Sequence, residues 1–163
     1  MNRMMFRMLA LVMVMSISCT KKLENPGATN TVAMSNEWWV TLGLNGTLLG
    51  GGAHALFSTY NTSQNVSDSL WLDDGGNVWD FKIKVLANPK NLTFLTADSA
   101  QNEYYDIRVK ISNGKVIPNG GKGYTTGNAV DSIYMEAVFS DDPTNTYVIS
   151  GVARSRWAQD DYH

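Results

Sequence analysis

The chain has 163 residues, of which 13 are Lys or Arg and 15 are Asp or Glu, for a formal net charge of −2 at pH 7. That balance argues against a nucleic-acid partner, which requires a basic patch. Cys19 is the one cysteine in the sequence, so no internal disulfide framework is available to the chain.

The N-terminus reads as a lipoprotein leader. Arg3 and Arg7 precede the apolar run Met8–Met15, which is too short to cross a bilayer as a helix. Ser16-Ile17-Ser18-Cys19 then places a small residue before a cysteine. This resembles the relaxed lipobox of Bacteroidetes lipoproteins, with Ser16 where Leu is usual. The expectation is that Met1–Ser18 is a signal peptide and that the Cys19 thiol carries the lipid. Removal of the leader leaves 145 residues with 11 basic and 15 acidic side chains, enough for one domain with a real core. Cys19–Ser35, rich in Lys, Asn, Thr, Gly and Pro, shows neither helical nor strand period and is expected to be a flexible tether. Attachment to a membrane is then by lipid alone, most simply at the outer membrane of the cell envelope.

From Asn36 to His163 the sequence predicts a single all-β domain. In Val78–Leu86, Trp79, Phe81, Ile83 and Val85 alternate with Asp80, Lys82 and Lys84. In Tyr105–Ser112, Tyr105, Ile107, Val109 and Ile111 alternate with Asp106, Arg108 and Lys110. One dry face and one wet face mark antiparallel strands. Further strands are expected at Glu37–Leu44, His54–Tyr60, Ser69–Leu72, Leu92–Thr96, Ser132–Phe139 and Thr146–Arg154. Asn113-Gly114 reads as a two-residue hairpin turn, because both positions tolerate positive φ. Gly50-Gly51-Gly52, Gly75-Gly76, Asn119-Gly120-Gly121 and Asp141-Asp142-Pro143 punctuate the remainder. About eight strands at this spacing predict an antiparallel β-barrel, with a β-sandwich as the alternative.

Chemistry-bearing motifs are sparse. There is no Gly-x-Ser-x-Gly elbow. The two histidines are His54 and His163, and His54 is the candidate base, with Ser58 four residues on. The pairs Asp73-Asp74, Asp141-Asp142 and Asp160-Asp161 fall in expected turns or the tail, where Asp commonly shapes the backbone. No His/Cys spacing suits zinc. Asp73-Asp74-Gly75-Gly76-Asn77 supplies oxygens near glycines without the EF-hand spacing, so no metal and no cofactor are expected. Five Trp and seven Tyr suit either a core or a pocket. If a pocket exists, its expected lining is Trp79, Phe81, Ile83, Tyr105 and Ile107. Asp68-Ser69-Leu70, Asp98-Ser99-Ala100 and Asp131-Ser132-Ile133 resemble the O-glycosylation motif of Bacteroidetes envelope proteins. Trp38 and Trp39 with Arg154 and Arg156 are similar to the Trp–Arg pair that closes a lipocalin barrel.

Three segments taken together carry a family resemblance: Phe57–Thr62, Asp68–Asp74 and Val78–Val85. The pattern is Ser-Thr-Tyr-Asn-Thr, a Trp-containing strand ending in acids, then Trp-Asp-Phe-Lys. From Glu37 onward the chain resembles a Bacteroidetes lipoprotein family labelled "lipid-binding putative hydrolase". The resemblance implies a calycin-like antiparallel barrel, and no catalytic residue is carried over from it. Three functions are expected in descending order. The first is an envelope lipoprotein whose barrel binds a small hydrophobic or amphipathic ligand. The second is a structural or partner-binding envelope protein with a filled core. The third is a hydrolase.

Overall fold

A computed structural model describes residues 27–162. Met1–Ser18 and Cys19, read as leader and lipid site, lie outside the described residues.

Ten strands follow in chain order: β1 (Asn36–Leu44), β2 (Thr47–Leu48), β3 (Ala55–Asn61), β4 (Ser69–Asp73), β5 (Lys82–Asn88), β6 (Thr93–Leu95), β7 (Ala100–Gln101), β8 (Arg108–Lys122), β9 (Ala129–Phe139) and β10 (Asp142–Ala153). Every pairing is antiparallel, and the circuit β1-β3-β4-β5-β6-β8-β9-β10 closes when β10 returns to β1. The result is the expected eight-stranded barrel, with β2 and β7 as short additions on β1 and β8. Closure leaves none of the eight strands as an open sheet edge. At the closing seam Val40 faces Gly151, and a Cβ at Gly151 would stand 1.9 Å from the Trp39 carbonyl oxygen. Only glycine permits that approach.

The period-2 pattern sorts side chains as predicted. Leu70 and Leu72 of β4, Ile83 and Val85 of β5, and Val109 and Ile111 of β8 all point inward and are buried. Trp71, between the two leucines, faces outward with the Lys82 and Lys84 ammoniums 5.5 and 5.3 Å from its ring. The interior is full. A water-sized void on the barrel axis would give its lining side chains accessible surface, yet Trp38, Phe57, Phe81, Ile111, Met135 and Phe139 retain 0–1%. Each such burial stabilises the fold by about 1.5–3 kcal/mol.

Four expectations need correction. β5 begins at Lys82 rather than Val78, because the backbone of residues 76–81 bonds to a side chain instead of to a neighbouring strand. β8 begins at Arg108 rather than Tyr105, since Tyr105 lies in an irregular segment. Asn113-Gly114 is no hairpin turn. β8 runs through it, and the register with β9 shifts between Ser112 and Lys115, so the pair forms a β-bulge with Asn113 at φ 54°. The ordered body also starts before Asn36. Met34 is fully buried in the core, and the Thr59 hydroxyl donates to its carbonyl at 2.5 Å. Thr31 is buried too, so the stretch assigned to the tether is in part a plug at one end of the barrel.

That plug defines a pole. Asn36, Thr59 and Ala153 lie there. The opposite pole, here termed the mouth, gathers the 74–81 loop between β4 and β5, residues 102–107 before β8, and the Ser140–Asp141 turn between β9 and β10.

Candidate functional site

The mouth is built around one carboxylate. Asp74 is fully buried and accepts four backbone N–H groups: Gly76 at 2.8 Å and Phe81 at 3.0 Å on Oδ1, Trp79 at 2.6 Å and Val78 at 3.2 Å on Oδ2. An Asp opening a turn accepts nearby N–H groups readily. Here the acceptor organises a whole loop. Asn102 secures its far end, accepting the Lys82 N–H at 2.8 Å and donating to the Asp80 carbonyl at 3.0 Å.

The loop lays Trp79 across the barrel end. Its ring stacks on Phe139 at 4.4 Å and 6°, and meets Tyr147 at 4.8 Å. Asp141 accepts the indole N–H at 3.3 Å and the Tyr105 hydroxyl at 3.0 Å. Burial and then this bond to Asp141 hold the Tyr105 phenol above its ordinary pKa.

On the neighbouring flank Asp73 accepts the Tyr104 hydroxyl at 2.5 Å, the Tyr60 hydroxyl at 2.6 Å and the Gly75 N–H at 3.0 Å. Lys82 Nζ stands 3.6 Å from the same carboxylate. Burial pushes the Asp73 carboxyl up, but these donors outweigh it and hold the group below the usual carboxylate range. The Tyr104 phenol is pushed up to about 12 by its bond to Asp73, so it stays a donor at neutral pH.

Between these supports lies an open groove of about 640 Å³ lined by Gly75, Gly76, Asp80, Tyr104 and Tyr105. A smaller cleft of about 230 Å³ lies at the same end, lined in part by Val40, Leu42, Leu49, Ala55 and Val78. The first volume falls within the range of small-molecule sites.

Of the five expected lining residues, Tyr105 lines the groove and Trp79 covers the barrel end next to it. Phe81, Ile83 and Ile107 are core residues with 0%, 0% and 6% exposure, filling the barrel rather than facing a cavity. His54 is exposed and stacks on Tyr162 at 3.7 Å and 9°. Burial against that ring lowers its pKa. Ser58 lies four residues on in β3, which begins just after His54, about 13 Å away along an extended chain, so the two do not meet. The oxygens of Asp73 and Asp74, weighed as cation ligands, are taken up by the N–H and O–H donors above. Ser99 of one Asp-Ser motif accepts from Arg108 at 2.8 Å, while Ser69 and Ser132 are half-buried. Arg154 donates to Asp161 at 2.6 and 2.7 Å and to Glu37 at 3.0 Å, and Trp39 donates to Asp161 at 3.2 Å. The early Trp and late Arg therefore meet through a shared carboxylate rather than by ring stacking.

Reading the sequence missed Asp80, Tyr104 and Asp141 as site residues, and took Asp74 as one turn-former among several. The available signal was a dense run of Asp and Gly beside Trp79 and a Tyr-Tyr pair before β8.

Fold and mouth together define a small antiparallel meander barrel with a packed interior and an aromatic, carboxylate-rich rim. The chain belongs to the family described as "Lipid-binding putative hydrolase", whose sequence profile it matches over residues 23–158. No curated protein matches it. A crystal structure of a Bacteroides ovatus protein of unknown function is similar at 14% identity and a TM-score of 0.45, covering 75% of this chain. This chain spans 42% of that one.

Proposed function

We propose that the protein is a lipid-anchored envelope protein that holds an amphipathic ligand in the groove at the barrel mouth, beside Trp79, rather than inside the barrel. The observation that carries this reading is the contrast between a filled axis and an open, preformed groove of about 640 Å³. Its family membership supports a lipid-binding role. Tyr104 and Tyr105 offer large, rigid amphipathic surfaces to such a ligand, and Asp73 and Asp141 fix those surfaces before it arrives. With Cys19 as the lipid site, the arm joins the barrel at the pole opposite the mouth. The groove then faces away from the anchoring membrane, at the outer membrane of the envelope.

The test is binding of a fluorescent probe with an alkyl tail and a neutral glucoside head to the full chain in neutral detergent. Saturable binding that is weakened about tenfold by Tyr105→Ala is expected. Binding unchanged in Tyr104→Ala/Tyr105→Ala, or no binding at all, overturns the reading.

A second reading, a partner-binding envelope protein, is favoured by the same filled core, because function then falls to the loops. Pull-down from detergent-solubilised envelopes tests it, and recovery of nothing above background counts against it. Hydrolysis draws no support from His54, which stacks on a ring and lies far from Ser58.

A further inference from the structure

The groove at the mouth has a marked polarity. Its side-chain donors are already committed: the Tyr104 hydroxyl to Asp73, and the Tyr105 hydroxyl to Asp141. The backbone N–H groups of Gly75 and Gly76 are likewise spent on Asp73 and Asp74. Apart from the backbone N–H groups of Asp80 and Tyr105, which make no hydrogen bond among the described residues, what the groove still offers is acceptors and ring faces. A tyrosine oxygen that has donated its proton retains lone pairs, and both rings present negative π surfaces.

Asp80 completes this polarity. Its carboxylate accepts no hydrogen bond among the described residues and pairs with none of their cations. It is held in place by the backbone: Asp80 has φ 54°, and its carbonyl accepts from Asn102 at 3.0 Å. Its Oδ1 lies over Gly76, where a Cβ would come within 3.0 Å of it. Gly76, at φ 79°, leaves that space free. Lys82, the cation next to this cluster, is turned to the outer wall, with its Nζ 5.6 Å from the Tyr60 ring centre and 5.5 Å from that of Trp71.

We infer that the groove selects a ligand whose head is an ammonium, seated on the Asp80 carboxylate between the rings of Tyr104 and Tyr105. An ammonium supplies the positive charge that an unpaired carboxylate lacks and gains cation–π attraction from each ring. A phosphate or carboxylate head would instead face the Asp80 carboxylate with like charge and few free donors. This inference rests on the amphiphile reading above and adds the charge of the head.

The probes are hexyltrimethylammonium, hexyl sulfate and hexyl glucoside, which share one tail and differ in head. Each is titrated into the full chain in neutral detergent, with intrinsic tryptophan fluorescence or calorimetry as the readout. The cation is expected to bind about tenfold more tightly than either of the others. Asp80→Asn should erase that preference, so that the cation binds this variant no more tightly than hexyl glucoside does. Asn tolerates positive φ, and an unchanged melting temperature checks that the loop is intact. Equal binding of all three heads, or a preference that survives Asp80→Asn, overturns the ammonium inference and leaves the amphiphile reading standing. No binding of any of the three, together with no binding of the fluorescent glucoside probe, removes both.

Discussion

The carboxylate of Asp74 accepts the backbone N–H of Phe81, seven residues along the chain, at 3.0 Å. That bond turns the chain back on itself between β4 and β5 and sends Phe81 into the core while Trp79 lies across the mouth. Both ends of the relationship are fully buried. Replacing Asp74 by Ala strands four backbone N–H groups, that of Phe81 buried and those of Gly76, Val78 and Trp79 part-buried, and an unmet buried donor costs about 1–3 kcal/mol. Asp74→Ala is expected to destabilise the fold by at least about 3 kcal/mol in urea unfolding. Asp74→Asn should be little better, because its amide NH₂ must face N–H donors. A loss under about 1 kcal/mol for either variant contradicts the role given to this side chain.

The arm before β1 is expected to behave as core. Met34 is fully buried, with its carbonyl bound to the Thr59 hydroxyl. Met34→Ala should cost about 2–5 kcal/mol. A value within about 0.5 kcal/mol of zero, typical of surface sites, would place the segment outside the folded unit.

Acid should loosen the C-terminal tail. The Thr126 N–H first, then the Ser155 and Thr126 hydroxyls and the Thr125 N–H, hold the Asp160 carboxyl down to about 2 against an ordinary value of 3.8. A carboxylate whose folded pKa is depressed stabilises the fold above its unfolded pKa, and that contribution is lost as pH falls through the folded value. The difference in melting temperature between the native chain and Asp160→Asn should therefore be constant near neutrality. It should shrink as the pH drops from about 4 to about 2. A difference that stays the same over that window contradicts the assignment.

Gly114 reports on how the bulge in β8 is built. A Cβ there would stand 2.4 Å from the Phe94 carbonyl oxygen and 2.5 Å from its ring. Gly114→Ala is expected to destabilise by about 1–3 kcal/mol. A true hairpin turn at Asn113-Gly114, exposed and unpaired, would absorb the change with far less loss, and such an outcome would contradict the bulge.

The same position shows where the sequence stops being legible. Asn-Gly at positive φ satisfies a two-residue turn and a bulge equally well. Only the partners β6 and β9, distant in sequence, decide that β8 continues. Alternation found Ile83, Val85, Val109 and Ile111 on the inner face, because one dry and one wet side leave a period of two. It placed Phe81 inside correctly but in a strand, since a loop tied by Asp74 carries the same alternation as a ladder. Trp79 and Tyr105 were legible as site candidates through that extended pattern, though as inward-facing strand residues lining a cavity rather than as mouth residues. Asp80, Tyr104 and Asp141 were not, because their roles arise where three separate loops converge. Whether Phe81, Ile83 and Ile107 line a cavity or fill one depends on side-chain packing across the barrel, which no local pattern encodes.

A ligand seated on the mouth and a ligand held within the barrel bring its tail against different residues. A neutral alkyl glucoside bearing a diazirine on its tail, photolysed on the full chain and mapped by peptide mass spectrometry, separates the two. Adducts on the 74–81 loop and on Tyr104 and Tyr105 are expected from a ligand on the mouth. Adducts concentrated on Ile83, Ile111, Met135 and Ile149 would contradict that placement, because those side chains are buried in the filled core.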